Sequence, residues 1–103
     1  MHELPAGLTV TKRTPVFDEA TTPAGLLRDH TTKPGVWARI RVLEGELGFR
    51  TLGPAPEEHL LTPTRPGIVP PELPHEVALR GPVRFCVEFL REAPEGSEPS
   101  SGA

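Results

Sequence analysis

Val36-Trp37-Ala38-Arg39-Ile40-Arg41-Val42-Leu43-Glu44-Gly45-Glu46-Leu47-Gly48-Phe49-Arg50-Thr51-Leu52 is the stretch that decides the fold. Ala38, Ile40 and Val42 fall on one side of an extended chain, and Trp37, Arg39, Arg41 and Leu43 on the other. That period of two marks a half-buried strand. A helix would mix the two sides and carry two internal glycines. Glu44-Gly45 stands where a tight hairpin turn is expected, with Leu47, Phe49 and Thr51 opening a return strand.

Outward from this segment the chain is punctuated the same way. Fourteen of the 103 residues are Pro and ten are Gly. Proline interrupts helix interiors and central strands alike, so an all-α fold, a coiled coil and a membrane-spanning helix are excluded. The apolar fraction, glycine included, is ordinary for a globular domain, so the prolines read as turns between short strands. Leu8–Lys12, Leu26–His30, His59–Thr62, Ile68-Val69, His75–Leu79 and Val83–Leu90 are the further strand candidates. Pro15 to Thr22 reads as a loop or edge anchored by Val16 and Phe17, and Lys33-Pro34-Gly35, Pro63–Gly67 and Arg80-Gly81-Pro82 read as turns. About eight or nine short strands at this spacing predict one all-β domain, an antiparallel barrel or sandwich, over residues 1–92. The segment 93–103 has nothing to bury and is expected to be a disordered tail.

Eleven Lys and Arg against fourteen Asp and Glu leave a net charge of −3 with no basic run, which disfavours nucleic acid as a partner. The single cysteine, Cys86, sits between Phe85 and Val87 and reads as a packed small hydrophobe, with a reactive thiol as the alternative. The start, Met1-His2-Glu3-Leu4-Pro5, carries no apolar signal region, so a cytoplasmic protein without a membrane partner is expected. Asn, Gln and Tyr are absent and Arg outnumbers Lys nine to two. Few amides and many prolines suit a thermophile, although a GC-rich genome produces the same bias.

The junction Val42-Leu43-Glu44-Gly45-Glu46 resembles the strand–Gly–strand turn of cupins, and Pro70 with His75 resembles the second cupin motif, where a Pro precedes an inward His by five residues. Glu72 replaces that motif's Gly, and Leu79 its Asn. The order His30, Gly35, Trp37, Gly45, Pro70, His75 is similar to the YeaR-like domains and to the small cupin at the N-terminus of TehB tellurite-resistance proteins. The likeness runs from about Thr11 to Leu90. It implies a jelly-roll-like cupin barrel, expected as a homodimer, and an association with tellurite, nitrogen-oxyanion or oxidative stress. It supplies no reaction. In longer proteins of this kind a methyltransferase domain follows, and no Gly-rich cofactor loop stands in this sequence.

A metal-binding cupin offers a His-x-His pair, a Glu and a later His. Here the first three positions fall at Thr32, Pro34 and Ala38, so only His75 survives from the standard set. His30 keeps the strand parity and is the second candidate, with Glu88 as a third ligand if a bulge turns it inward. Such a site would hold one divalent ion, zinc, iron, nickel or manganese. The alternative is a pair of hydrogen-bonded pocket histidines without metal. Arg28 alternates with His30, and Arg28, His30 and His75 together would frame a pocket mouth for a small anion. His2 and His59 read as exposed bystanders. Trp37, Arg39 and Arg41 read as an outward face, its arginines paired to Glu44, Glu46 or Glu88 and its tryptophan at a dimer contact, with oxyanion binding as the other possibility. Three functions follow: a small-ligand or oxyanion-binding protein, a metal-dependent cupin enzyme of the dioxygenase, isomerase or epimerase kind, and an interaction module.

Overall fold

Alternating apolar and polar residues set up strands in two long runs, and these two strands build the rest of the sheet. The computed structural model describes residues 2–28 and 30–92. Among these the elements are β1 (Leu8–Arg13), β2 (Phe17–Asp18), a 3₁₀ turn (Ala24–Leu27), β3 (Trp37–Thr51), β4 (Glu57–Leu61), β5 (Gly67–Val69) and β6 (His75–Glu92). The described chain is all-β with antiparallel pairing throughout. None of its helices is long and apolar enough to cross a membrane. The tail expected from residue 93 onward lies outside the described residues.

Two of the predicted turns are not turns. The chain runs through Glu44-Gly45 as one 15-residue strand, β3, and through Arg80-Gly81-Pro82 as one 18-residue strand, β6. The two pair from Trp37↔Leu90 to Thr51↔His75, with the register slipping between Val42 and Glu44 and again between Gly45 and Leu47. The glycines and the proline therefore mark bulges, where paired long strands bend without parting. Gly45 shows why its position takes glycine: φ is +81°, and a Cβ there would collide with the Pro82 carbonyl oxygen. The slips also change parity. Ala38, Ile40 and Val42 point inward before the bend, and Leu47, Phe49 and Thr51 after it.

Each long strand carries shorter pieces on its free edge. β1, then β2, pair with the C-terminal part of β6, while β5 and β4 pair with β3. The sheet order is β1-β6-β3-β4, and its edges β1 and β4 are not joined. The structure thus corrects the expected barrel of eight or nine short strands to six strands in one bent, open sheet. Continuous strands fold over at their bulges and bring both inner faces together, which removes the separate hairpins that a closed barrel would count. Ile40, Val42, Leu47, Phe49, Leu61, Val69, Val77 and Phe85 form one core, with Phe85 edge-on to Phe17. Of Leu26–His30, expected as a strand, Leu26 and Leu27 belong to the 3₁₀ turn Ala24–Leu27 and His30 makes one isolated bridge. Lys33-Pro34-Gly35 does form a turn: Val36 N–H donates to the Lys33 carbonyl at 3.1 Å, and Gly35 supplies φ of +76°.

The bulge at Gly45 is testable against a second glycine. Gly45→Ala is expected to destabilise the domain by at least about 2 kcal/mol, from left-handed strain plus the clash with the Pro82 carbonyl. Gly7→Ala, with φ of +86° but open space around the added methyl, is expected to cost only about 1 kcal/mol. Urea denaturation of both variants measures the difference; equal losses would remove the close-packed bulge as the cause.

Candidate functional site

His75 opens β6, and the chain just before it is stiff. Pro70-Pro71-Glu72-Leu73 makes a tight turn in which Leu73 N–H donates to the Pro70 carbonyl at 3.4 Å and Glu72 holds φ at +63°. Pro74 then leads into the histidine. His30 and His75 exchange both backbone hydrogen bonds, at 2.7 and 2.8 Å, so they stand directly opposite each other. Their rings meet edge to face with centroids 5.2 Å apart. The structure therefore brings together the two histidines that the family resemblance singled out.

The His75 ring is 3% exposed. Its Nδ1 lies 2.9 Å from the Leu73 carbonyl oxygen, which can only accept, so Nδ1 carries the hydrogen. Burial holds the imidazole below its ordinary pKa; the Leu73 carbonyl opposes this, and charge on His30 adds to it. The ring is therefore neutral, and Nε2 keeps a lone pair without a hydrogen-bond partner among the described residues. Phe49 packs 6.2 Å from the same ring.

Glu88 does not join the histidines. It sits opposite Arg39 in the β3–β6 ladder, on the outward side, while Val87 belongs to the inward core. Both carboxylate oxygens are occupied: Arg13 Nη2 and Nε reach Oε2 at 2.7 and 3.0 Å, and Arg39 Nε reaches Oε1 at 2.7 Å. Burial raises the Glu88 pKa, but hydrogen bonds from Arg39 and Arg13 outweigh it and hold the carboxyl below its ordinary value. The strand alternation is unbroken at 85–90, so no bulge turns Glu88 inward. No group of three His, Cys, Asp or Glu side chains converges among the described residues. Among the described residues the two imidazoles therefore stand one ligand short of the three or four that protein side chains supply to a zinc site.

Other expectations sort plainly. Arg39 pairs with Glu88 across the sheet, and Arg84 with Glu44, as an outward face requires. Cys86 is buried and free. Arg28 is exposed and lines none of the described cavities. His59 is no bystander: its ring stacks on Phe49 at 6.2 Å, and its Nε2 lies 2.8 Å from a Glu57 oxygen.

Two cavities meet at His30. One is small, about 10 Å³, and mostly apolar, lined by His30, His75, Thr32, Leu26 and Phe89 among others. The other is an open groove of about 310 Å³ at the sheet rim. Among the described residues Lys12, Lys33, Arg91, Thr31, Thr32 and His30 line it, and no acidic side chain does. None of the three cations has an ion-pair partner among the described residues. A bulge in β1 between Val10 and Lys12 makes this possible. It places Lys12 opposite inward-facing Phe89 while its neighbour Arg13 stays opposite Glu88. Arg91 Nη1 lies beside the Pro34-Gly35 turn, 4.0 Å from where a Gly35 Cβ would stand. In a chain of net charge −3, three cations around one groove are a local concentration of positive charge. The sequence reading missed them because Lys12, Lys33 and Arg91 are 21 and 58 residues apart, and only the bent sheet joins them. No sequence motif carries that signal.

These features define a small all-β domain whose bent sheet holds a basic groove beside a buried histidine pair. The chain belongs to the TehB-like domain family, whose model matches residues 12–87. It is 31% identical to the uncharacterised protein YeaR of Escherichia coli K12, over 92% of this chain and 87% of that protein. A crystal structure of an Escherichia coli K12 protein matches with a TM-score of 0.79 at 25% identity, covering 89% of this chain and 98% of that one. TehB from Haemophilus influenzae matches with a TM-score of 0.78 at 26% identity; 95% of this chain is covered but only 37% of TehB.

Acid stability tests the placement of both buried groups. His75 and Glu88 each have a folded pKa below the unfolded one, so each contributes stability that is present above the unfolded value and is lost as pH falls. Stability is expected to drop below about pH 6.5 as unfolded-state histidine takes up protons, and to drop further below about pH 4.5 for the glutamate. Each proton contributes a slope of at most about 1.4 kcal/mol per pH unit. His75→Phe should flatten the upper stage only, and Glu88→Gln the lower. Urea midpoints across pH check this, and an unchanged upper stage in His75→Phe would contradict the buried neutral ring.

Proposed function

We propose that this TehB-like domain binds a small oxyanion in the groove formed by Lys12, Lys33, Arg91, Thr31, Thr32 and His30. The observation that carries the reading is the groove's charge: three cations, hydroxyl donors and, among the described residues, no lining carboxylate, within an acidic chain. Charge-assisted hydrogen bonds from ammonium and guanidinium groups suit oxygens of a compact anion. The groove's volume falls at the lower end of small-molecule sites. The tellurite or nitrogen-oxyanion association implied by the sequence resemblance is consistent with this chemistry, and the cupin likeness belongs to the same proposal. Binding is the activity proposed.

Titration calorimetry with tellurite, selenite and phosphate tests the reading. Saturable binding is expected that weakens as salt is raised. Lys33→Gln or Arg91→Gln should each lower affinity about tenfold, the loss of one charge-assisted contact. Arg84→Gln, at the Glu44 end of the sheet, should leave affinity unchanged. Absence of saturable heat with all three anions, or unchanged affinity in a Lys12→Gln, Lys33→Gln, Arg91→Gln triple variant, would sink it.

A further inference from the structure

The groove is larger and less polar than a bare inorganic anion needs. Its volume of about 310 Å³ falls in the range of sites for organic small molecules, and an anion of a few heavy atoms leaves part of it unfilled. Val36 and Phe89 line it together with the cations. Phe89 packs against the core, yet it is only half-buried. Strand pairing fixes how charge and apolar surface meet there. Phe89 stands between Lys12 of β1 and Ala38 of β3, and Arg91 follows two residues later on the same side of β6. Arg91 Nη1 is 4.0 Å from where a Gly35 Cβ would stand, beside the turn that carries Lys33. The small cavity that shares Phe89 with the groove is mostly apolar. An aromatic side chain thus lies among the cations, with apolar core behind it. Cations recognise an anionic group, whereas an apolar wall beside them adds affinity only for a ligand with apolar surface to cover.

Resting on the oxyanion reading above, we propose that the groove takes small organic anions: an oxyanion head held by Lys12, Lys33 and Arg91, and an apolar or aromatic body laid against Phe89 and Val36. The ligand class is thus a compact organic acid, of which the bare oxyanion is only the head. Inorganic anions of the same charge bind through the cations alone and are held more weakly. The head supplies orientation through charge-assisted hydrogen bonds, and the body supplies discrimination through the apolar area it removes from water.

Phosphate, methylphosphonate and phenylphosphonate separate head from body. Above the second pKa of each, and below that of lysine, all three are dianions with a tetrahedral head. Calorimetry is expected to show affinity rising in that order. Phenylphosphonate should bind about tenfold tighter than phosphate, the gain from covering roughly 50–60 Å² of ring surface. Raising salt should weaken all three and leave their ratios unchanged, because screening acts on the head and not on the apolar contact. Phe89→Ala should bring the phenylphosphonate-to-phosphate ratio toward one. In the unsubstituted protein, nuclear Overhauser contacts should join the ligand's phenyl protons to the Phe89 ring and the Val36 methyls, which reads the contact even if the variant fails to fold. Equal affinities across the series, or phenyl protons without contact to either side chain, would overturn the organic-anion class and leave the oxyanion groove standing. Failure of all three to bind would overturn both.

Discussion

The pairing of β3 with β6 is the constraint on which everything else depends. It joins two strands of 15 and 18 residues along their whole length, from Trp37 opposite Leu90 to Thr51 opposite His75. A flat ribbon of that length would expose one apolar face. Bulges around Glu44–Glu46, facing Gly81-Pro82, bend the pair so that its two halves bury their inner faces against each other. Burial of those apolar side chains is the driving term, and the continuous ladder satisfies the backbone polar groups through the bend. Every smaller strand adds to an edge that this pair provides.

The same geometry distributes charge between two sides. Outward, the buried Glu88 carboxylate gathers Arg13 and Arg39, so β1, β6 and β3 are pinned by one three-residue ion cluster. Its Arg13 partner is well exposed, and so the cluster's value lies in avoiding an unpaired buried carboxylate more than in net attraction. Inward and at the rim, Lys12, one residue from Arg13, is turned to the other side by the β1 bulge. Adjacent cations in sequence thus face opposite ways, one neutralised in the sheet and one lining the groove.

Much of this was legible in the residues. Period-two alternation from Trp37 to Val42 and from Phe85 to Phe89 identified the inner faces, and the outward expectation for Arg39 followed from the same parity. The spacing of Pro70 and His75 and the parity of His30 pointed to the histidine pair that the fold does place together. Two kinds of feature were not legible. Gly45 and Gly81 read equally as hairpin turns or as strand bulges, because both conformations use glycine's positive φ. Reading them as turns split each long strand in two and led to a closed barrel. His59 looked exposed because its neighbours Glu57 and Glu58 are polar, while its partner Phe49 lies ten residues away across a loop.

The sequence by itself determined the all-β class, the strand faces, the two histidines and the family likeness, because these depend on alternation and short spacing that a linear chain records. Tertiary structure alone decided that the sheet stays open, that Glu88 belongs to arginines and not to histidines, and that Lys12, Lys33 and Arg91 share a groove. Those outcomes depend on where two long strands bend. The bend is set by which residues on opposite strands must pack together, a relation between distant positions that no local pattern encodes.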